Sequence, residues 1–89
     1  PYNGAFQDSL GWLYFKIGDY ARAEKHLSKA NRLEKSDPVI LEHLGDLYTR
    51  LGDVERAREY YRRSMELAES RDEAERIRKK IQDSVLETE

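Results

Sequence analysis

The chain has 89 residues, of which 38% are charged and 38% are hydrophobic, and its formal net charge is −2. This length allows one domain, and a charge so near zero argues against binding to nucleic acid or acidic membranes through bulk charge. The chain contains no cysteine, which excludes disulfides, thiol catalysis and thiolate metal sites. No apolar run reaches the roughly 18 residues of a membrane-spanning helix, so no direct membrane insertion is expected.

Helix-forming residues dominate the composition. Ala, Leu, Glu, Arg and Lys are abundant, proline occurs only at positions 1 and 38, and no stretch alternates β-branched residues as a strand does. We therefore predict a single all-α domain over residues 1–89. Because the chain begins with proline and its only methionine is Met65, we also expect it to be a fragment of a larger protein.

An internal repeat with a period of 34 residues sets the predicted architecture. Such a period is typical of stacked helical hairpins, and it predicts one repeat over about residues 4–37 and a second over about residues 38–71. In each repeat one small residue, Gly11 or Gly45, is expected where the paired helices approach most closely. The aligned identities include Leu10 with Leu44, Gly11 with Gly45, Tyr14 with Tyr48, Gly18 with Gly52, Asp19 with Asp53 and Ala23 with Ala57.

The first repeat is predicted to form two helices. Apolar residues at helical spacing indicate a helix over about residues 4–17, which Gly18 is expected to end in a left-handed conformation. Asp19 is suited to cap the second helix, which runs to about residue 34. The expected buried positions are Phe6, Leu10, Leu13, Tyr14 and Ile17 on the first helix and Ala23, Leu27, Ala30 and Leu33 on the second.

The second repeat follows the same pattern. Asp37 and Pro38 suit the start of its first helix, where the missing N–H of proline is not needed. Gly52 turns the chain into a helix over about residues 54–69. The expected buried positions are Ile40, Leu41, Leu44, Leu47, Tyr48, Leu51, Ala57, Tyr60 or Tyr61, Ser64 and Leu67.

A last helix is predicted over about residues 72–86. Ser70 and Glu73 fit a capping box at its start. Its apolar stripe is thin and its other faces are charged, which suits a lid over the open end of a stack. The chain is expected to fray from Ser84 onward. The stripe consists of Ala74, Ile77, Ile81 and Val85.

The repeated order of leucine, glycine and tyrosine, then glycine and aspartate, then alanine resembles the tetratricopeptide repeat over about residues 4–70. The last helix resembles the capping helix of that family, whereas Ser64 and Asp72 stand where alanine and proline are usual. The resemblance implies two antiparallel helix pairs plus a capping helix in a right-handed superhelix. Its first helices would line a concave groove that holds a peptide or protein segment. Since no residue of the repeat motif is catalytic, the resemblance implies a non-enzymatic scaffold without cofactors.

The groove implied by the resemblance would be lined by first-helix residues that the packing stripe does not use. It would be aromatic at one end, acidic in the middle and basic at the other. Trp12 and Phe15 are the expected anchors, because exposed aromatic side chains contribute strongly to binding. Alternatively, Trp12 packs against a helix of this chain. The expected partner-binding residues are Asp8, Trp12, Phe15, Lys16, Glu42, Asp46, Thr49, Arg50, Arg76 and Lys80.

Three other kinds of site find less support in the sequence. One subclass of the family clamps the C-terminal carboxylates of heat-shock chaperones with a lysine and two asparagines on the first two groove helices and two basic residues on the third. This chain has acidic and aromatic residues in place of the lysine and the asparagines, and only Arg76 and Lys80 fit the two basic positions. Glu42, His43 and Asp46 share a helix at the spacing of metal ligands but lack a second cluster. The basic strip at residues 76–80 is interrupted by isoleucine and flanked by acidic residues, as on an ordinary solvated helix face, so no nucleic acid is expected.

The outer face of the first helix has no predicted cover. In stacked repeats each unit shields its neighbour, and an uncovered apolar face favours association. We therefore expect further repeats upstream in the parent protein, or self-association through this edge, where Phe6, Leu10 and Leu13 lie. A structural spacer or self-association segment is thus the alternative to a peptide-binding scaffold. Residues 8–14 also resemble repeats of bacterial envelope proteins, which favours a bacterial source and leaves localisation open between cytoplasm and envelope.

Overall fold

The structure, a computed structural model, describes the backbone of residues 3–88 and the side chains of residues 3–84. Five helices follow one another, and no strand occurs among the described residues, which confirms the all-α prediction. The helices are α1 (Gly4–Lys16), α2 (Tyr20–Leu33), α3 (Pro38–Arg50), α4 (Val54–Glu66) and α5 (Arg71–Thr88).

A short polar side chain precedes each helix and accepts hydrogen bonds from its first turn. Asp19, Asp37 and Asp53 cap α2, α3 and α4 in this way. Ser70 caps α5 through a bond of 3.1 Å from the backbone of the first turn. Asn3 caps α1 by accepting a hydrogen bond of 2.8 Å from the backbone N–H of Phe6, a cap that the apolar pattern does not predict.

The turns within the two helix pairs depend on glycine. Gly18 has a φ of +84° and Gly52 has a φ of +81°, the left-handed conformation that side chains with a Cβ rarely adopt. Both predicted helix ends are therefore confirmed.

The paired helices approach each other closely at Gly11 and Gly45, as predicted. A Cβ on Gly11 would lie 2.7 Å from Cγ of Leu27 and 3.0 Å from its backbone nitrogen. A Cβ on Gly45 would overlap the ring of Tyr61. Glycine at these positions therefore allows α1 to pack against α2, and α3 against α4, without a side chain between them.

The core lies between α2, α3 and α4 and extends to α5. Leu27, Ile40, Leu44, Leu47 and Ile77 are all at most 1% exposed. These large side chains fit against small residues on the neighbouring helices, so the hairpins stack tightly. The other core members are Ala23, Ala30, Tyr48, Ala57 and Tyr61, so of the two tyrosines that the sequence left open it is Tyr61 that is buried.

The predicted apolar stripe of α1 is wrong for Phe6, Leu13 and Ile17, which are exposed, whereas Leu10 is half-buried and Tyr14 packs against the core. Leu13 and Ile17 are 57% and 68% exposed, whereas Gln7 and Gly11 are buried. The reason is that no described helix packs against this side of α1. The uncovered edge expected from the sequence is therefore present. Three further residues predicted as buried are exposed near helix ends, namely Leu33, Leu51 and Leu67.

Two helix ends differ from the prediction. Helix α4 ends at Glu66 rather than near residue 69. Helix α5 continues to Thr88, beyond the expected fraying point at Ser84. Ile77 is buried in the core and Ile81 packs against it. The side chain of Val85, the last predicted member of this stripe, lies outside the described residues.

Candidate functional site

Helices α1, α3 and α5 present side chains on one common surface, which we call the groove surface. Residues 34 positions apart lie side by side on it, because each repeat places its first helix beside the next one. The ten predicted binding residues fall there into two groups, each joined by stacking, hydrogen bonds or a shared cleft. The first group is Asp8, Trp12, Phe15, Lys16 and Arg50, and the second is Glu42, Asp46, Thr49, Arg76 and Lys80.

One end of the groove surface carries an aromatic stack formed by Trp12, Phe15 and His43. The Trp12 ring lies 4.8 Å from the Phe15 ring and 4.1 Å from the His43 ring, with interplanar angles of 13° and 17°. The alternative interpretation of Trp12 is thus partly right, because it does pack against α3 of its own chain. It stays only half-buried, so part of the indole remains accessible.

A hydrogen bond fixes the orientation of the stack. Nδ1 of His43 lies 2.7 Å from Oδ1 of Asp8, and both side chains are mostly shielded from solvent. This bond holds the imidazole ring parallel to Trp12. His43 was considered in the sequence only as a metal ligand. His43 follows Asp8 by 35 residues, one more than the repeat period. This spacing is the sequence signal that predicts His43 beside Asp8 on the groove surface.

The middle of the groove surface carries a buried carboxylate. Glu42 is only 7% exposed and accepts hydrogen bonds from Arg76 and, at 2.6 Å, from Nζ of Lys80. Burial by itself would raise the pKa of Glu42, but the hydrogen bonds from the two cations outweigh it, so the pKa lies below its ordinary value. Glu42 is therefore held in its charged form.

Lys80 extends this pairing to a second carboxylate. Its Nζ lies 3.0 Å from Oδ1 of Asp46, which also accepts a hydrogen bond of 2.6 Å from the Tyr61 hydroxyl. Burial, followed by the neighbouring Asp46 carboxylate, raises the pKa of Tyr61, so its hydroxyl remains a neutral donor. The sequence had not assigned Tyr61 to the site. We call Glu42, Asp46, Tyr61, Arg76 and Lys80 the charge network.

The charge network changes the expected electrostatics of the groove. The sequence suggested separate acidic and basic zones, but the cations of α5 neutralise the carboxylates of α3. The spacing explains this, since Arg76 follows Glu42, and Lys80 follows Asp46, by one repeat period of 34 residues. Side chains one period apart become neighbours when the repeats stack.

Two models of a protein family match the chain, each described as tetratricopeptide repeat, over residues 7–37 and 40–79. The chain belongs to the tetratricopeptide-repeat (TPR) family. Its five helices form the helical repeat of that family, which in general serves as a non-catalytic interaction scaffold. No curated protein sequence matches the chain.

Among solved structures, this TPR chain is similar to the first TPR of Spaghetti (RPAP3) bound to the HSP90 peptide SRMEEVD. The TM-score is 0.81 and the sequence identity is 21%, and the match covers 96% of this chain and 69% of that chain. At this identity the similarity shows a shared TPR fold.

A separate cleft opens beside the aromatic stack, where the last turns of α1 and α3 meet on the TPR groove surface. We call it the basic cleft. Its volume is about 450 Å³, and it holds two cations, Lys16 and Arg50, which are again 34 residues apart. Neither forms an ion pair with any residue whose side chain is described. The cleft is lined by Phe15, Lys16, Ile17, Gly18, Tyr20 and Arg50.

The alternative metal or catalytic cluster of Glu42, His43 and Asp46 is not assembled. Glu42 and Asp46 are both bonded to Lys80 whereas His43 is bonded to Asp8, and no group of three or more metal-binding side chains comes together in the described part of this TPR domain. Within the described residues, every helix is too short or too polar to cross a bilayer.

Proposed function

We propose that this TPR domain binds a peptide segment of a partner protein along the groove surface, with Trp12 as the main anchor. The observation that carries the proposal is the aromatic stack, in which a half-buried indole is stacked against both Phe15 and His43. An aromatic side chain that is already fixed loses little entropy when a ligand packs against it. A peptide side chain laid on the accessible part of Trp12 would therefore gain contact area at small entropic cost.

The charge network suits the same function. Its cations and carboxylates neutralise one another, so the floor of the groove offers hydrogen-bonding groups without a strong net charge. Lys80, Thr49 and Asp46 also border a hollow of about 180 Å³ next to α5. A peptide that crosses from Trp12 toward α5 would meet this hollow as a second contact point. The peptide bound to the structurally similar TPR of Spaghetti supports a ligand of this kind.

The proposal also fits the placement of the two cations that a carboxylate clamp would use. Arg76 and Lys80 are already bonded to Glu42 and Asp46, so releasing them for a ligand carboxylate would leave buried charges unpaired. We therefore propose binding centred on Trp12 rather than on these two cations.

Selection from a displayed library of random ten-residue peptides tests the proposal. We expect peptides that bind the wild-type domain and bind Trp12→Ala at least about tenfold more weakly, a loss of about 1.4 kcal/mol or more, as for a central aromatic anchor. Circular dichroism and urea unfolding should show that Trp12→Ala is folded. Tyr60→Ala, a half-buried tyrosine of α4 outside the groove surface, is the matched control and should leave binding unchanged.

Peptides that bind Trp12→Ala as tightly as the wild type would contradict the proposed site. Failure to select any peptide against the folded wild-type domain would contradict the proposed function itself.

A second candidate, self-association through the outer edge of the first repeat, is favoured by one observation. Leu13 and Ile17 are 57% and 68% exposed on one face of α1. Adjacent exposed apolar side chains favour a protein partner. Sedimentation equilibrium up to millimolar concentration should then show dimers that Leu13→Glu with Ile17→Glu abolishes. The exposed pair Leu51→Glu with Leu67→Glu is the control, and a wild-type monomer throughout would remove this candidate.

A further inference from the structure

We propose that the basic cleft selects an acidic side chain of the bound peptide, held between Lys16 and Arg50. A neighbouring aromatic or aliphatic side chain of the peptide would pack against Phe15 and Tyr20. This inference rests on the proposed function and deepens it, because it names the class of ligand as a peptide with an acidic residue next to an apolar one.

Charge is the first argument for this ligand class. The other charged side chains of the groove surface are hydrogen-bonded to one another, whereas Lys16 and Arg50 have no acidic partner among the residues whose side chains are described. They are therefore the two groove cations left to attract a ligand. A positively charged site favours a negatively charged ligand and disfavours a positively charged one.

The walls of the cleft give the second argument. The Phe15 and Tyr20 rings lie 5.8 Å apart with an interplanar angle of 50°, so they form two sides of an apolar corner. Both side chains are half-buried and line the same cleft as the two cations. An ion pair beside apolar walls is screened less than one on an open surface. Lys16 and Arg50 are themselves exposed, so a carboxylate bound here would gain from two cations beside apolar walls, where an isolated surface lysine offers one cation and no such walls.

The position of Lys16 connects the basic cleft to the aromatic stack. Its Nζ lies 5.7 Å from the centroid of the Trp12 ring, within the range of a cation–π contact. The ammonium group is therefore held between the anchor and the cleft. A peptide whose apolar side chain lies on Trp12 would bring the residues beside it to Lys16 and then to Arg50.

Lys16 and Arg50 also lie in the last turns of α1 and α3, where a cation is favoured by the helix dipole. Stabilisation of the helix ends alone predicts that replacing them changes stability but not the choice of peptide. Selection of an acidic residue predicts a change in the choice of peptide. The two roles are therefore separable by experiment.

The experiment uses the displayed random library. The C-terminus of each peptide is fused to the coat protein, so the peptide has no free C-terminal carboxylate and only Asp and Glu side chains can supply one. Peptides are selected against the wild type, against the charge reversal Lys16→Glu with Arg50→Glu, and against Lys25→Glu with Lys29→Glu. The last pair makes the same change of net charge on exposed positions of α2, outside the cleft. Circular dichroism checks that each variant is folded.

We expect the wild type and the α2 control to enrich Asp or Glu next to an aromatic or aliphatic residue, and the charge reversal to enrich Lys or Arg instead. In a selected peptide made with an amidated C-terminus, replacing the acidic residue by its amide should weaken binding about tenfold, with less weakening at high salt. If the charge reversal does not fold, Lys16→Gln with Arg50→Gln should lose the acidic preference without gaining a basic one.

Peptides that require Trp12 but show no acidic preference would overturn this inference and leave the proposed function standing. An acidic preference that persists in the charge reversal would overturn it as well. If peptides are selected but none requires Trp12, the proposed site fails, and if no peptide is selected at all, the proposed function fails; this inference fails in both cases.

Discussion

The first helices of the two repeats carry the same apolar stripe, yet the stripe is buried in one and exposed in the other. Leu47 of α3 is 0% exposed, whereas Leu13, the same residue one period earlier in α1, is 57% exposed. The difference comes from the neighbour, because α2 packs against α3 while no described helix packs against this side of α1. Periodicity therefore predicts which residues form the stripe, but the preceding helix decides whether the stripe is core.

Truncation of the two matched leucines should give the largest difference in the free energy of unfolding. Leu47→Ala removes a fully buried side chain and should reduce the free energy of unfolding by about 2–4 kcal/mol. Leu13→Ala removes a mostly exposed one and should reduce it by less than about 1 kcal/mol. Urea unfolding followed by circular dichroism measures both. Equal losses would show that the α1 stripe is covered and would break the comparison.

A second pair one period apart, Asp8 and Glu42, sharpens the comparison at the groove surface. Glu42 is paired with two cations, whereas Asp8 is bonded to His43. Glu42→Gln should reduce the free energy of unfolding at neutral pH by about 1–3 kcal/mol, because it removes the carboxylate partner of Arg76 and leaves Lys80 paired with Asp46 alone. Asp8→Asn retains an oxygen acceptor for His43 and should cost about 0.5 kcal/mol.

The dependence of stability on pH provides a smaller effect of the same kind. The pKa of Glu42 is lower in the folded chain than its ordinary value of 4.5. Its stabilising contribution is therefore fully present above pH 4.5 and is lost as the pH falls through the folded pKa. Urea midpoints between neutral and acidic pH should fall less steeply in Glu42→Gln than in the wild type. Parallel curves would show that the charge network does not stabilise the fold.

The fold was predictable because the signals that determine it are local and repeat. The glycine turns at Gly18 and Gly52, the caps at Asp19 and Asp37, and the close approach at Gly11 each follow from the chemistry of one residue at one position. Burial on α1 was not predictable in the same way, because it depends on what lies beside that helix. The bacterial source and the repeat boundaries remain predictions.

The candidate site was predictable as a surface but not as a pattern of charge. The helical period places Glu42 and Asp46 on one face of α3 and Arg76 and Lys80 on one face of α5, and the repeat period places the two faces on one surface. The structure adds that the four side chains neutralise one another. The repeat period indicates which of these side chains become neighbours, but whether they bond depends on how closely α5 approaches α3, which the sequence pattern does not give. Arg76 and Lys80, which the sequence predicts as the basic end of the groove, are thus paired within the chain. Lys16 and Arg50 of the basic cleft are the groove cations without an acidic partner among the described side chains.

The central claim is that the groove surface, and in particular the aromatic stack, binds a peptide. The most direct measurement is a titration of the ¹⁵N-labelled domain with a selected peptide, followed by heteronuclear NMR. We predict saturable shifts at the indole N–H of Trp12 and the backbone amide of Gly18, with exposed amides of α2 such as that of Lys29 unchanged. Shifts confined to α2 and the outer face of α1, with the Trp12 indole unmoved, would contradict the claim.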